Sequence, residues 1–237
     1  MDNLLKDGLT ELHIDHDPSL LSDYAIYKDL LVDWNQRMNL TGITETKDVY
    51  IKHFLDSLSA FTVDVFSEGC KVIDVGTGAG FPGLPMAILN RSIQMTLLDS
   101  LNKRVHFLEA VAQSIGLNNV ECIHGRAEDF GQNEQFRELY DVAVSRAVAH
   151  LSVLSEYVLP FVKVGGVFLA LKGPNVTTEL EEAGKALALL GGVVKEVKMV
   201  QLPFTDIQHS IVVIQKVEAT PGKYPRKAGK PTKTPLK

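Results

Sequence analysis

The chain is predicted to fold as an α/β protein: a doubly wound, seven-stranded sheet with an antiparallel last strand, preceded by a helical extension. Three observations predict it. After Lys71, short β-branched apolar runs alternate with stretches of helical period, as in a parallel sheet covered on both faces. The first run, VIDV, passes directly into a glycine-rich turn, GTGAG, and then into a helical stretch. The last two runs are separated only by PFTDIQH. A parallel return needs a crossover of a dozen or more residues, so these two runs pair antiparallel.

Residues 1–65 read as the helical extension. From Ser19 onward, Tyr24, Tyr27, Leu31, Trp34 and Met38 recur at helical spacing and make one apolar face, widened by Leu30. Thr41 and Gly42 break the pattern, so this helix ends near Asn39. A second helix fits residues 47–60, with Ile51, Phe54, Leu55 and Leu58 inward and His53, Asp56 and Ser57 together on the other side. A lone histidine on a helix is ordinarily solvated or satisfied in a core. Here Asn39, Thr41, His53 and Asp56 stay polar in a region otherwise occupied with packing.

The sheet region follows. Strand one is 71–75, and the helix after it is 82–89, opened by Pro82, whose missing N–H costs nothing in a first turn. Strand two, 93–98, stops at Asp99. The next helix, 101–115, turns Val105, Leu108, Ala112 and Ile115 to one face and stops at Gly116. Strand three is 120–124 and strand four 141–145. A helix over 150–159 is closed by Pro160, and Gly165-Gly166 turn into strand five, 167–171. A helix over 176–190 precedes the terminal strands, 193–202 and 210–217. Residues 66–218 therefore form the nucleotide-binding domain, and 219–237 a basic tail.

Composition limits the function classes. With 45% hydrophobic and 22% charged residues, the 237-residue chain has the balance of a globular protein, and no stretch reaches the roughly 20 apolar residues of a membrane span. The acidic start, MDNLLKDGLTELHIDHD, lacks the basic–apolar pattern of a secretory signal. Cys70 and Cys122 are far apart and each beside a strand, which argues against a disulfide or metal pair, and a reducing cytoplasm is the simplest setting. The net charge of −5 is uneven: residues 216–237 hold seven basic residues and one acid, a charge of +6, so the body before them carries −11. A basic, proline-containing end on an acidic body points to a local polyanion contact, or to a solubilising tail.

Ligands of such sheets bind outside the carboxyl ends of the strands, here residues 76–81, 99–100, 125–129 and 145–146. Gly76, Gly78 and Gly80 are spaced G-x-G-x-G. A dinucleotide fingerprint would want glycine where Phe81 stands, and there is no phosphate-loop G-x-x-x-x-G-K-[ST]. Asp99, at the end of strand two, can accept hydrogen bonds from ribose hydroxyls or cap the helix behind it, a role Ser100 could take instead. Ala127, Glu128 and Asp129 sit where an adenine would lie. No lysine in the glycine turn awaits a phosphate, so an adenosine ending in a sulfonium fits better than NAD or ATP.

The segments VIDVGTGAGFPGLPMAI, LLDSLNKRVHFLE, GRAED and DVAVSRAVAHLSVL resemble the class I, Rossmann-like S-adenosylmethionine-dependent methyltransferases. Within them, MNLTGI…HFLDSL and the tail KYPRKAGKPTKTPL are similar to one bacterial family, the small-subunit ribosomal RNA guanine-N7 methyltransferases G, also called glucose-inhibited division protein B. The similarity runs over roughly residues 20–236. It implies that Gly76, Phe81, Ala127, Glu128 and Arg146 contact S-adenosylmethionine, with Asp99 at the ribose. It also implies the substrate, the guanine at position 527 (RNA numbering) of 16S rRNA, met as RNA or as a small ribosomal subunit particle.

Guanine N7 carries no proton to remove, so no general base or nucleophilic cysteine is required, and alignment is the main catalytic resource. Arg146 at the mouth of strand four and Arg126 across the cleft are the cations placed to act, unless ion pairs to Glu128, Asp129 or Asp141 occupy them. Lys172 ends strand five and faces the RNA. Arg226 and Lys227, beside Tyr224, fit phosphate contacts plus stacking on an unpaired base. Asn39, His53 and Asp56 are candidates to shape the base pocket. The enzyme is expected to be a cytoplasmic monomer without a metal. The competing readings are a methyltransferase for a small molecule or protein and a non-catalytic RNA-binding or ribosome-assembly factor. Asp99→Ala is expected to weaken cofactor binding, and deletion of residues 223–237 to spare it while lowering RNA methylation.

Overall fold

A computed structural model of the chain describes residues 2–146 and 148–236, so Ala147 of the SRA turn and Lys237 of the tail lie outside the described residues. Helices α1 (Asp2–Glu11) and α2 (Leu21–Met38) open the chain, followed by α3 (Thr46–Val49), a π-helical turn over Tyr50–Leu55, and α4 (Asp56–Leu58). Then come β1 (Lys71–Val75), α5 (Gly83–Leu89), β2 (Gln94–Asp99), α6 (Asn102–Ile115), β3 (Val120–His124), α7 (Ala127–Phe130) and β4 (Tyr140–Arg146). The remainder is α8 (Leu151–Val158), β5 (Val162–Lys172), α9 (Thr177–Leu190), β6 (Gly192–Gln201), β7 (Gln208–Lys216) and a short α10 (Lys230–Lys233) in the tail.

The strand order is β3-β2-β1-β4-β5-β7-β6, with β7 antiparallel to both neighbours. The sequence-based expectation of seven strands with a reversed last strand is met. Side chains alternate across the sheet. Val72, Leu97, Val142, Val144, Leu169 and Val213 enter a core shared with α1, α2, α5 and α6. Ile73, Val75, Ala143, Phe168, Ala170 and Val212 face α8 and α9. Because Leu5, Leu9, Tyr24 and Tyr27 belong to the first of these cores, the N-terminal helices pack as part of the sheet's own covering layer.

Three elements differ from the reading above. The helix expected over 47–60 is interrupted by the π-helical turn, within which His53 is 9% exposed. Strand five begins at Val162, because Val162 pairs with Tyr140 before a register shift, so Gly165-Gly166 lie inside the strand. Pro82 stands at the N-cap of α5 rather than in its first turn. Asn39, Gly116 and Gly191 end their helices in the left-handed conformation.

The topological switch falls between β1, which continues to β2, and β4, which continues to β5. The crevice at the carboxyl ends of β1 and β4 is where such sheets bind ligands.

Candidate active site: two cavities and a shared wall

Two buried carboxylates shape the glycine turn. Asp99 Oδ2 accepts the Gly78 N–H at 2.9 Å, and its Oδ1 accepts the Leu101 N–H at 2.9 Å. Asp99 thus ties the turn to the start of α6 and still has lone pairs for a ribose hydroxyl. Asp74, fully buried on β1, accepts Thr77 Oγ1 at 2.7 Å and the Gly83 N–H at 2.8 Å, both through Oδ2. Its Oδ1 is buried without a hydrogen-bond partner among the described residues. Burial pushes the Asp74 carboxyl up to about 7, against the bonds from Thr77 and Gly83.

Each glycine has its own reason. Gly78 has φ +63°, and a Cβ there would point into open space, so the backbone lines a cavity. Gly80 was expected at the cofactor; instead it is buried, and a Cβ would lie 2.5 Å from Tyr27 Oη and 2.6 Å from Leu84. Gly80 is a packing residue: Tyr27 donates to the Ala79 carbonyl at 2.5 Å and stacks on Phe81 at 5.6 Å, so α2 presses directly on the turn.

Around the turn lies a cavity of about 420 Å³, lined by Gly76, Gly78, Phe81, Asp99, Ser100 and Arg146 among others. A smaller one of about 190 Å³ is lined by Gly125, Arg126, Ala127, Glu128 and Tyr157. Both include Gly76, Ser100 and Val148, so they form one groove across the carboxyl ends of β1, β2 and β3. Glycine backbone beside a buried carboxylate at the end of β2 fits an adenosyl amino-acid cofactor. Arg126 is exposed at the rim of the smaller cavity, and Glu128 is buried, its Oε1 accepting the Gly229 N–H of the tail at 3.1 Å.

A third cavity, about 610 Å³, opens on the other side of Arg146 and is lined by Lys52, His53, Asp56, Lys172, Glu179 and His209 among others. His53 and Arg146 line both this cavity and the 420 Å³ one, so they are the wall between them. The wall is tightly bonded. Arg146 donates to Asp56 Oδ2, to the Lys52 carbonyl at 3.2 Å and to His53 Nδ1 at 3.2 Å, and lies 4.9 Å from the Phe81 ring centre. His53 stacks on Phe81 at 4.4 Å, and its Nε2 lies 2.7 Å from Thr41 Oγ1. Because Nδ1 accepts from Arg146, the ring proton sits on Nε2 and donates to Thr41. Burial and the neighbouring Arg146 hold the His53 pKa down to about 4, so it is neutral at pH 7. Burial would raise the Asp56 carboxyl, but His209 at 2.7 Å and Arg146 together bring it below its usual value.

The chain matches the profile of the rRNA small subunit methyltransferase G family over residues 20–211. It is 55% identical over 235 residues to the ribosomal RNA small subunit methyltransferase G of Alkaliphilus oremlandii, covering 99% of this chain and 98% of that one. The chain belongs to this family. A second relative of the same description, from Clostridium perfringens, is 48% identical over 99% of this chain and 98% of its own. Among solved structures, Trm5b from Pyrococcus abyssi superposes with a TM-score of 0.54 at 14% identity, covering 76% of this chain and 52% of that one. TYW2 from M. jannaschii, in complex with AdoMet, gives 0.50 at 16% identity over 65% and 72%. At these identities the two structures show the fold alone. The protein is a methyltransferase with S-adenosylmethionine as its cofactor.

Of the expected site residues, the structure gathers Gly76, Gly78, Phe81, Asp99, Ser100, Ala127, Glu128, Arg126 and Arg146 around the groove, and Lys172 around the larger cavity. Asn39 is the exception at the N-terminal side: it ends α2 and is absent from the lining of all three. Arg226 lies in none of them. Its Nε donates to Glu156 Oε1 at 2.8 Å and its Nη2 to Oε2 at 2.6 Å, and Glu156 is fully buried. Tyr224, expected to stack on a base, is 6% exposed and packed in the core beside α8 and α9. Its ring is spent on docking the tail. Asp74, Glu179 and His209 were not identified from the sequence, and Tyr27 was read there only as part of an apolar helix face. Only Asp74 left a signal there, as a carboxylate inside an apolar strand run.

Proposed function

We propose that the protein transfers a methyl group to N7 of the guanine at position 527 (RNA numbering) of 16S rRNA, acting as a cytoplasmic monomer on RNA or on a small ribosomal subunit particle. The observation that carries the reading is the pair of cavities sharing the His53–Arg146 wall: one suits the adenosyl cofactor, the other is open and large enough for a nucleoside. The family description of the relatives, which names ribosomal RNA, supports the substrate class.

When bound, S-adenosylmethionine supplies an electrophilic methyl on a sulfonium. This chain's residues position the acceptor. N7 has a free lone pair, so no group here has to take a proton. Holding nucleophile and methyl in line is worth roughly 7–11 kcal/mol, against the about 10²–10⁴-fold a proton-transfer group supplies. Electrostatics at the wall suit a cationic donor. An unpaired arginine about 5 Å from a sulfonium would oppose it by about 3 kcal/mol at an effective dielectric of ~20. Here Asp56 neutralises Arg146, and His53 stays uncharged. Exposed Lys223, Lys227, Lys230 and Lys233 on the docked tail provide phosphate contacts.

The test is to map N7-methylguanine in 16S rRNA from cells with and without the protein. Loss of the modification at one guanine, restored by the wild-type chain, is the expected result; unchanged methylation overturns the proposal.

A further inference from the structure

The 610 Å³ cavity holds two carboxylates, and they are not equivalent. Asp56 has both oxygens committed, Oδ2 to Arg146 and Oδ1 to His209. Glu179 makes both of its contacts through Oε2, which accepts the Leu151 N–H at 3.0 Å and Lys172 Nζ at 2.7 Å. Its Oε1 makes no hydrogen bond among the described residues, and the side chain is 28% exposed. Lys172 is 9% exposed and also donates to the Ala149 carbonyl, which among the described residues leaves one of its three N–H groups over.

The cavity therefore presents a spare donor directly beside a spare acceptor. Guanine carries the complementary order along one edge: O6 accepts, and the adjoining N1–H and 2-amino group donate. Adenine carries the reverse, an amino donor beside the N1 lone pair, and would set like against like. Lys172 ends β5, whose Leu171 pairs with Arg146 at the end of β4. On guanine, N7 lies on the opposite side of O6 from N1, so a base with O6 at Lys172 and N1 at Glu179 leaves N7 free within the cavity that His53 and Arg146 also line.

We propose that Lys172 and Glu179 select guanine, the ammonium donating to O6 and Glu179 Oε1 accepting from N1–H and the 2-amino group. The inference rests on the guanine-N7 reading above and names the residues that read the base. Glu179 also joins α9 to the start of α8, so its test needs a readout that a structural tie would not move.

That readout is the ratio of kcat/KM for guanosine and inosine placed by ligation at the target position of 16S rRNA and reconstituted into small-subunit particles. Inosine lacks only the 2-amino group. The wild-type enzyme is expected to prefer guanosine by about tenfold, the value of one lost hydrogen bond to a charged group. Glu179→Gln, whose amide oxygen can still accept the Leu151 N–H, is expected to bring the ratio to within about twofold of unity. Lys172→Met is expected to lower both substrates together, since both carry O6. A wild-type enzyme that uses inosine as well as guanosine overturns the inference without any variant. A Glu179→Gln enzyme that keeps the wild-type ratio overturns it as well. Absence of N7-methylation on the guanosine substrate with wild-type enzyme instead overturns the functional reading on which it rests.

Discussion

The guanidinium of Arg146 donates to Nδ1 of His53 at 3.2 Å while both side chains lie against the Phe81 ring. A residue from β4, one from the N-terminal π-helical turn and one from the glycine turn thus meet at one point between the groove and the 610 Å³ cavity. Arg146→Ala leaves Asp56 with the His209 contact alone and opens the wall. Single-turnover methylation is expected to fall roughly 100-fold, the scale of an angstrom-sized misplacement. A rate within twofold of wild type in a folded variant would remove Arg146 from the mechanism.

Neutral His53 makes stability depend on pH. The unfolded imidazole takes up its proton near 6.5 and the folded one only near 4, so the unfolded chain binds more protons between those values. This group's contribution is present at neutral pH and is lost as pH falls from 6.5 to 4, by roughly 3 kcal/mol. Asp74 acts oppositely: its folded value near 7 lies above the usual 3.8, so stability is lost as pH rises through that window. The His53 part is isolated by comparing urea midpoints of wild type and His53→Gln from pH 7 to 4. Nitrogen NMR should show the Nε2-protonated tautomer at pH 6, and a midpoint near 6.5 would contradict the buried geometry.

Asp99→Ala removes the acceptor for the Gly78 and Leu101 N–H groups as well as the carboxylate offered to a ribose. S-adenosylhomocysteine affinity by calorimetry is expected to drop about 10–100-fold, the equivalent of 1.5–3 kcal/mol for hydrogen bonds to a charged group. Asp99→Asn should fall between. Unchanged affinity would show that the turn holds its shape, and the ligand, without this side chain.

The docked tail changes what its deletion should do. Removing residues 223–237 strips Arg226 from Glu156, a fully buried carboxylate, and Gly229 from Glu128 beside the groove. Breaking one side of a buried pair costs about 3–5 kcal/mol, so the truncated chain is expected to unfold at lower urea and to bind cofactor less tightly. A truncation with an unchanged midpoint would mean that the tail is not docked in solution.

Charge on the tail is separable from docking. Lys227, Lys230 and Lys233 are exposed, and their replacement by Gln should leave the urea midpoint and cofactor affinity as they were. RNA affinity should fall, and the slope of log K against log salt should become shallower by about 0.7–0.9 per lost phosphate contact. An identical slope would place the RNA elsewhere on the surface.

The sequence alone determined the architecture and marked the residues that line the groove at the carboxyl ends of β1, β2 and β3, because both follow from local rules. Short β-branched apolar runs alternating with helical patterning located the strands and helices, glycines at 76 and 78 marked a backbone a ligand can approach, and Asp99 marked the end of β2. Only the tertiary structure decided what the polar residues do. Gly80 proved to be shaped by Tyr27, Arg226 and Tyr224 by docking, and His53 by a π-helical turn that no periodicity announces. The wall of Arg146, His53, Asp56 and His209 joins distant segments: Asp56 meets Arg146, 90 residues further on, and His209 further still. Pairing of charges across such distances depends on which strand ends the topology brings together and how much water it removes from them. Local spacing carries neither quantity, so the partners of a buried charge become legible only once the sheet has closed.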